Sequence, residues 1–153
     1  MKFISSSYDE ESGLARVTMQ HLGQKFLGTA QVHPDEKDKG SEYAGCYYAE
    51  IRATIRALKY EKNIISYEYN VLKRTIKSCE CYKKFNNEEG SAKVLYRQIN
   101  RKKKRIDDIT KEIDEYKKEL QRAISNRANF LNAMKAKTKG RKAFEKAIEE
   151  NNK

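Results

Sequence analysis

Two long heptad patterns constrain the fold of this chain more than any other feature of its sequence. Between residues 44 and 83, apolar side chains recur at alternating spacings of four and three residues, and the same pattern returns between residues 95 and 134. Ten of the twelve positions in each pattern are apolar, which is enough to favour a continuous buried seam over chance. This spacing indicates two long helices that pair as a coiled coil.

The segment between the two heptad patterns predicts how the helices are arranged. Asn86, Asn87 and Gly90 supply turn chemistry, and Ser91 can cap the following helix. Because this connection is short, the two helices should form an antiparallel hairpin, each about 43 residues or ~65 Å long. Reflecting one pattern on the other about the connection places Leu58 opposite Leu120.

The residues before the first helix predict a β-hairpin. From Leu14 to Gln20 apolar and polar side chains alternate, as in a half-buried strand. The tetrapeptide 21–24 contains Gly23 and reads as a tight turn, and a second strand follows from residue 25 to 32. Gly28 and Ala30 leave one face of that strand open to the close approach of another backbone. Residues 1–13 are polar, and we expect them to be frayed at the start.

These patterns together predict an α+β protein that is mainly α. Residues 1–40 form the β-hairpin and an acidic loop, and residues 41–138 form the antiparallel helical hairpin, with Ser41 as a helix cap. Residues 139–153 are expected to be a basic, partly ordered tail, because Gly140 should end or kink the helix.

The net charge of the chain indicates several possible classes of partner. Its net charge is +11, which attracts nucleic acid, nucleotides, acidic proteins or anionic membranes. No apolar run is long enough to span a bilayer, and the first residues lack the apolar stretch of a signal peptide. We therefore expect a cytoplasmic protein with no membrane partner.

Catalytic and metal-binding chemistry are disfavoured by the sequence. No phosphate-binding loop of the GxxxxGKS type occurs, and no nucleophile with a partnered base can be identified. Cys79 and Cys81 lie two residues apart on a helix, where they point in different directions and cannot easily share one ion. The loop His33–Glu36 could serve acid–base chemistry, but polar loops are common. We predict no enzyme activity, no metal and no cofactor.

Tyrosine and arginine residues concentrate on the first helix and predict a ligand site. Aromatic faces can stack a base and guanidinium groups can bind phosphate. Arg127 occupies a seam position in the second helix and should lie at the same end of the hairpin. The predicted ligand-binding residues are Tyr43, Tyr47, Tyr48, Arg52, Arg56 and Arg127. The alternatives are oligomer packing for the tyrosines and a salt bridge from Arg127 to Glu42 or Glu50.

The segment Arg16–Tyr60 resembles small proteins that are common in phages of Firmicutes. The shared features are Gly28–Asp35 at the end of the hairpin, Glu42–Gly45 at the start of the helix, and Ala49–Ala53 within it. The arrangement looks like that of the phage anti-Thoeris sponge family. That resemblance implies a non-enzymatic protein in the host cytoplasm that sequesters a cyclic ADP-ribose isomer or a cyclic oligonucleotide.

Two further expectations concern partners. We expect a homo-oligomer, because the unpaired edges of a hairpin invite strand pairing and small binders often build pockets between protomers. The alternative function is that of a basic coiled-coil inhibitor, similar to anti-CRISPR proteins, that binds a host defence protein or its nucleic acid directly. The run Arg101–Arg105 is then either a solvated surface or a phosphate contact.

Overall fold

A computed structural model describes the backbone of residues 1–31, 39–86 and 90–151, and the side chains of residues 1–31, 42–78, 93–129 and 132. Three strands precede two long helices. The elements are β1 (Lys2–Asp9), β2 (Leu14–His21), β3 (Gln24–Gln31), α1 (Lys39–Asn86) and α2 (Gly90–Asn151). The predicted class, α+β and mainly α, is confirmed.

The chain divides into two compact units, Met1–Lys117 and Lys118–Lys153. The first unit contains the sheet, all of α1 and the beginning of α2. The second unit is the remainder of α2, which continues as helix through Gly140 to Asn151. The helix therefore does not end at this glycine, whose cost of about 1 kcal/mol a long helix can tolerate.

The predicted hairpin is confirmed as β2 and β3, which pair antiparallel. Leu22 and Gly23 form its turn with φ angles of 48° and 77°. Two consecutive positive φ angles are characteristic of the type I′ turn, whose twist suits a two-residue hairpin connection. Glycine adopts this conformation without strain, and the turn thus fixes the register of the two strands.

A third strand, β1, pairs antiparallel with β2 and completes the sheet in the order β1-β2-β3. The expectation that residues 1–13 are frayed at the start is therefore wrong for this strand. Its side chains are almost all exposed, so the sequence lacks the alternation that a half-buried strand shows. The connection to β2 is closed by hydrogen bonds, in which the amide of Gly13 donates to the Asp9 carbonyl at 2.8 Å and the Ser12 hydroxyl to the Asp9 carboxylate at 2.5 Å.

Helix α1 packs on one face of the sheet through small residues. The core between them consists of side chains from β2, β3 and α1: Ala15, Val17, Met19, Ala30, Ala49 and Ala53. At the point of closest approach, a Cβ added to Gly28 would lie 1.8 Å from the carbonyl oxygen of Ala49. The prediction that the small residues of β3 admit another backbone is thus confirmed, and the approaching backbone is that of α1.

Within the first unit, α1 and the beginning of α2 run antiparallel. Glu61 pairs with Arg105 and Glu68 pairs with Lys102, so the residue number rises along one helix as it falls along the other. Leu58 forms a buried cluster with Ile109 and Ile113.

These contacts do not follow the predicted register. Reflection about the connection places Leu58 opposite Leu120, whereas the structure clusters Leu58 with Ile109 and Ile113. The shift along α2 is seven residues to Ile113 and eleven to Ile109, and alternating spacings of four and three present the same seam after either slip. The apolar spacing therefore could not select the register.

Two predicted features lie outside the residues whose structure or side chains are described. They are the loop His33–Glu36, with its predicted acid–base chemistry, and the pair Cys79 and Cys81.

Candidate functional site

Two of the predicted arginines lie one helical turn apart on α1, beside strand β3. Nη1 of Arg52 donates a hydrogen bond to the carbonyl oxygen of Thr29 at 2.6 Å, and Nη1 of Arg56 donates to the carbonyl oxygen of Leu27. Strand β3 forms one edge of the sheet, and its carbonyls accept these donors as they would accept those of another strand. The two side chains therefore cover part of this edge.

The same contacts hold the two guanidinium groups in place without neutralising them. A carbonyl oxygen carries no net charge, and one hydrogen bond uses one of the five N–H donors of a guanidinium. The contrast is Arg105, which donates through both Nε and Nη2 to the Glu61 carboxylate. Arg52 and Arg56 thus combine a fixed position with a positive charge and further donors, which is what recognition of a phosphate needs.

Three of the predicted tyrosines precede the two arginines along α1. Tyr48 precedes Arg52 by one turn and packs against the sheet–helix core. The rings of Tyr47 and Tyr48 lie 6.0 Å apart and are tilted by 56°, and Tyr43 is 78% exposed. We call Tyr48, Arg52 and Arg56 the arginine stripe, because their spacing of four residues places them on one side of the helix.

Five of the six predicted site residues therefore occupy one stretch of α1. They are Tyr43, Tyr47, Tyr48, Arg52 and Arg56, all in the first unit. Arg127 belongs to the second unit and is half-buried on α2. Its predicted convergence with Arg52 stays a prediction.

A second polar cluster, which the sequence did not predict, joins the hairpin turn to both helices. The Glu61 carboxylate on α1 lies 2.7 Å from Nε2 of His21 through one oxygen. Its other oxygen accepts hydrogen bonds from Nε and Nη2 of Arg105 on α2 at 3.0 and 2.7 Å. We call these three residues the Glu61 junction, and it connects β2, α1 and α2.

The electrostatics of the Glu61 junction favour a charged carboxylate. Burial alone would raise the pKa of Glu61, but the hydrogen bonds from His21 and Arg105 outweigh it and lower the pKa below the ordinary 4.5. The same pairing raises the pKa of Arg105. The hydrogen bonds of this carboxylate join neighbouring elements, which favours a structural role for the Glu61 junction over proton transfer.

Metal binding and thiol chemistry are the remaining reactive possibilities among the described side chains. Within residues 1–31, 42–78, 93–129 and 132, no three His, Cys, Asp or Glu side chains are grouped so that they could hold a metal ion. Burial and the neighbouring Glu42 carboxylate raise the pKa of the Cys46 thiol, which therefore stays protonated and weakly nucleophilic near neutral pH.

Positive charge is dense on the part of the two helices that lies beyond the Glu61 junction. We call residues 62–78 and 93–105 the basic arm. It carries eleven Lys and Arg residues and one acidic residue, Glu68, so its net charge by sequence is +10, although Arg105 at its end pairs with Glu61 outside the arm. The predicted run Arg101–Arg105 is therefore one part of a larger basic surface to which α1 also contributes.

Exposed aromatic rings accompany the charges of the basic arm. Tyr67 is 72% exposed and Tyr96 is 46% exposed. The ammonium of Lys73 lies 5.4 Å from the centre of the Tyr69 ring. Cations interleaved with accessible rings are the surface that nucleic acids bind through phosphate contacts and base stacking.

No helix in the described part of the chain has a stretch that is both long and apolar enough to cross a bilayer. Comparison with known proteins finds no matching family model, no matching curated protein and no matching solved structure.

Proposed function

We propose that this protein binds a nucleotide-type ligand at the arginine stripe and holds it without chemical conversion. In the biological setting that the resemblance of Arg16–Tyr60 implies, it is a phage counter-defence protein that sequesters a cyclic ADP-ribose isomer or a cyclic oligonucleotide. The observation that carries the proposal is the position of Arg52 and Arg56. Backbone carbonyls orient both guanidinium groups, and these contacts include no acidic group that would neutralise their charge.

The arginine stripe suits the two halves of a nucleotide. Two guanidinium groups one turn apart can contact neighbouring phosphate oxygens, and their contacts with β3 reduce the entropy that is lost on binding. Tyr48 lies one turn before Arg52 on the same side of α1, and its ring can stack a base. The described neighbours of the stripe include no partnered nucleophile, which favours binding over turnover.

The test is thermal unfolding of the full chain with a panel of cyclic ADP-ribose isomers and cyclic oligonucleotides. A ligand that binds the folded state raises Tm in proportion to the logarithm of its concentration. Arg56→Gln removes the charge and leaves a shorter, neutral polar side chain. We expect its affinity to fall by about tenfold or more.

Arg74→Gln is the matched control, because it makes the same substitution on the exposed surface of the basic arm. It should bind the panel like the unmodified chain. Loss of affinity in both variants, or in neither, would place the ligand away from the arginine stripe. A panel in which no nucleotide raises Tm removes the proposal.

The charge of the basic arm favours a second candidate function, the direct binding of nucleic acid, including the guide RNA of a host defence complex. A surface with a net charge of +10 releases counterions from a polyphosphate, so affinity should fall steeply with salt. The alternative inhibitor function, contact with a host defence protein, would use the same arm against an acidic surface.

A fluorescence anisotropy titration with single- and double-stranded oligonucleotides separates the two candidates. Lys103→Glu/Lys104→Glu should weaken nucleic-acid binding and flatten its salt dependence, while nucleotide binding at the arginine stripe stays unchanged. Lys25→Glu/Lys59→Glu changes the same number of charges outside the arm and serves as control. Equal effects of the two double variants would show that only net charge matters.

A further inference from the structure

The two edges of the sheet differ in whether other groups contact them. On β3, the guanidinium groups of Arg52 and Arg56 occupy carbonyls of the strand. On the other side, β1 pairs with β2 alone among the described strands, and its residues are exposed except for Tyr8, which is half-buried. An open strand of this length is a template for pairing with another chain.

An irregularity in β1 leaves an equal number of paired positions on either side of Ser6. Its register against β2 shifts between Phe3 and Ser5, so Ile4 is an extra residue without a partner of its own. Seven ladder positions remain, and Ser6 is the central one. They are Lys2, Phe3, Ser5, Ser6, Ser7, Tyr8 and Asp9, opposite Gln20, Met19, Thr18, Val17, Arg16, Ala15 and Leu14.

A twofold axis that is perpendicular to the sheet and passes between the Ser6 residues of two copies would pair β1 with β1 of the second copy. Such an axis makes the strands antiparallel and keeps each side chain on its own face of the sheet. Phe3 then lies opposite Tyr8, both on the face that α1 covers, because their partners on β2 are the buried Met19 and Ala15. Lys2 lies opposite Asp9 on the other face.

The pairs that this symmetry creates are complementary. Lys2 and Asp9 carry opposite charges, and each dimer would contain two such pairs and two pairs of Phe3 with Tyr8. Phe3 is 49% exposed in the single chain, which leaves a large aromatic surface to bury. If Ile4 occupied a regular ladder position, the side chains of Lys2 and Asp9 would lie on opposite faces of the sheet and could not pair about the same axis.

From these observations we propose that β1 is a homodimer interface, in which two copies of this chain join their sheets into one six-stranded antiparallel sheet about Ser6. The occupant of the open edge is thus a second copy. This inference does not depend on the ligand proposed above.

Cysteine cross-linking of the full chain tests both the interface and its register. Paired residues across antiparallel strands have Cα atoms about 4.5–5.5 Å apart, which a disulfide can bridge. Ser6→Cys should therefore form an intermolecular disulfide on mild oxidation, identified by mass spectrometry of the linked peptides so that the native cysteines do not interfere.

Ser5→Cys and Ser7→Cys provide the controls for register. Each alone should cross-link about tenfold less than Ser6→Cys, because its partner in the other chain is a serine. An equimolar mixture of the two should cross-link efficiently. Cross-linking of either alone as readily as Ser6→Cys, or none in any variant, overturns the proposal.

Sedimentation equilibrium supplies a test that needs no cysteine. Lys2→Glu should raise the dimer dissociation constant by about tenfold, since attraction to Asp9 becomes repulsion at two places. Lys25→Glu is the matched control, because Lys25 faces the same Gln20 from the opposite strand, and it should leave the constant unchanged. A monomer at every concentration, or a dimer that Lys2→Glu does not weaken, contradicts the interface.

Discussion

At the scale of single residues, two positions control how the sheet and helices meet. Gly28 allows the backbone of α1 to lie directly against β3, and Glu61 joins the hairpin turn to both helices. The sequence predicted the first, because small residues alternate on one face of a strand. It did not predict the second, because a glutamate beside a coiled-coil seam is ordinary, and only the fold brings His21 and Arg105 to it.

Gly28→Ala should destabilise the protein strongly. The new Cβ would lie 1.8 Å from the Ala49 carbonyl oxygen and 2.6 Å from the Ala53 nitrogen, so α1 must move away from β3. We expect a loss of about 3 kcal/mol in the free energy of unfolding, measured by urea denaturation. Gly23→Ala is the control, since nothing lies within 4 Å of its Cβ and the positive φ costs about 1–2 kcal/mol. A smaller loss for Gly28→Ala than for Gly23→Ala would contradict the close contact.

Glu61→Gln should reveal the Glu61 junction through pH. Because the pKa of Glu61 in the folded state is lowered, its contribution is fully present above the unfolded value of 4.5 and is lost as pH falls through the lower folded value. At pH 7 the variant should lose about 2 kcal/mol of unfolding free energy, a value reduced by the partial exposure of Arg105. The difference from the unmodified chain should shrink below pH 4.5.

The matched control for this experiment is Glu112→Gln. Glu112 contacts Arg105 at 3.5 Å with both side chains 44% exposed, and its loss should cost about 0.5 kcal/mol or less. If the difference between Glu61→Gln and the unmodified chain stays constant from pH 7 to pH 3, the junction does not stabilise the fold through its charge.

At the scale of secondary-structure elements, what could be predicted depended on burial. Strands β2 and β3 and both helices have one buried face, so their periodicity was visible in the sequence. Strand β1 has nearly all its side chains exposed and left no such signal. The register of α1 and α2 was also hidden, because a heptad pattern repeats after a slip of seven residues and does not specify which acidic residue Lys102 will meet.

Ile109→Ala should show that the beginning of α2 is packed against α1. Ile109 is fully buried in the cluster with Leu58 and Ile113, so its truncation leaves a cavity. We expect a loss of about 3 kcal/mol in urea denaturation. Val94→Ala removes apolar atoms from an exposed site on the same helix and should cost about 0.5 kcal/mol or less. Equal losses would contradict the assignment of this seam.

At the scale of the whole molecule, the apolar core and the basic arm occupy different parts of the described structure. The described buried apolar side chains lie between the sheet and α1 and in the seam of the two helices, whereas eleven of the 33 Lys and Arg residues lie on the basic arm. In the arginine stripe, Arg52 and Arg56 contact β3 through neutral carbonyl oxygens and so keep their charge. The concentration of tyrosine and arginine on α1 was visible in the sequence, but the contacts of Arg52 and Arg56 with the strand were not, because they depend on how α1 packs on the sheet.

A protein that sequesters a nucleotide must retain the molecule and release it chemically unchanged. Equilibrium dialysis against the cyclic nucleotide that raises Tm most, followed by heat denaturation and mass spectrometry of the released molecule, measures both parts together. We predict saturable uptake that Arg56→Gln weakens and recovery of the intact ligand. Recovery of a converted product, or no uptake above that of an unrelated basic protein, would contradict the proposed sequestration.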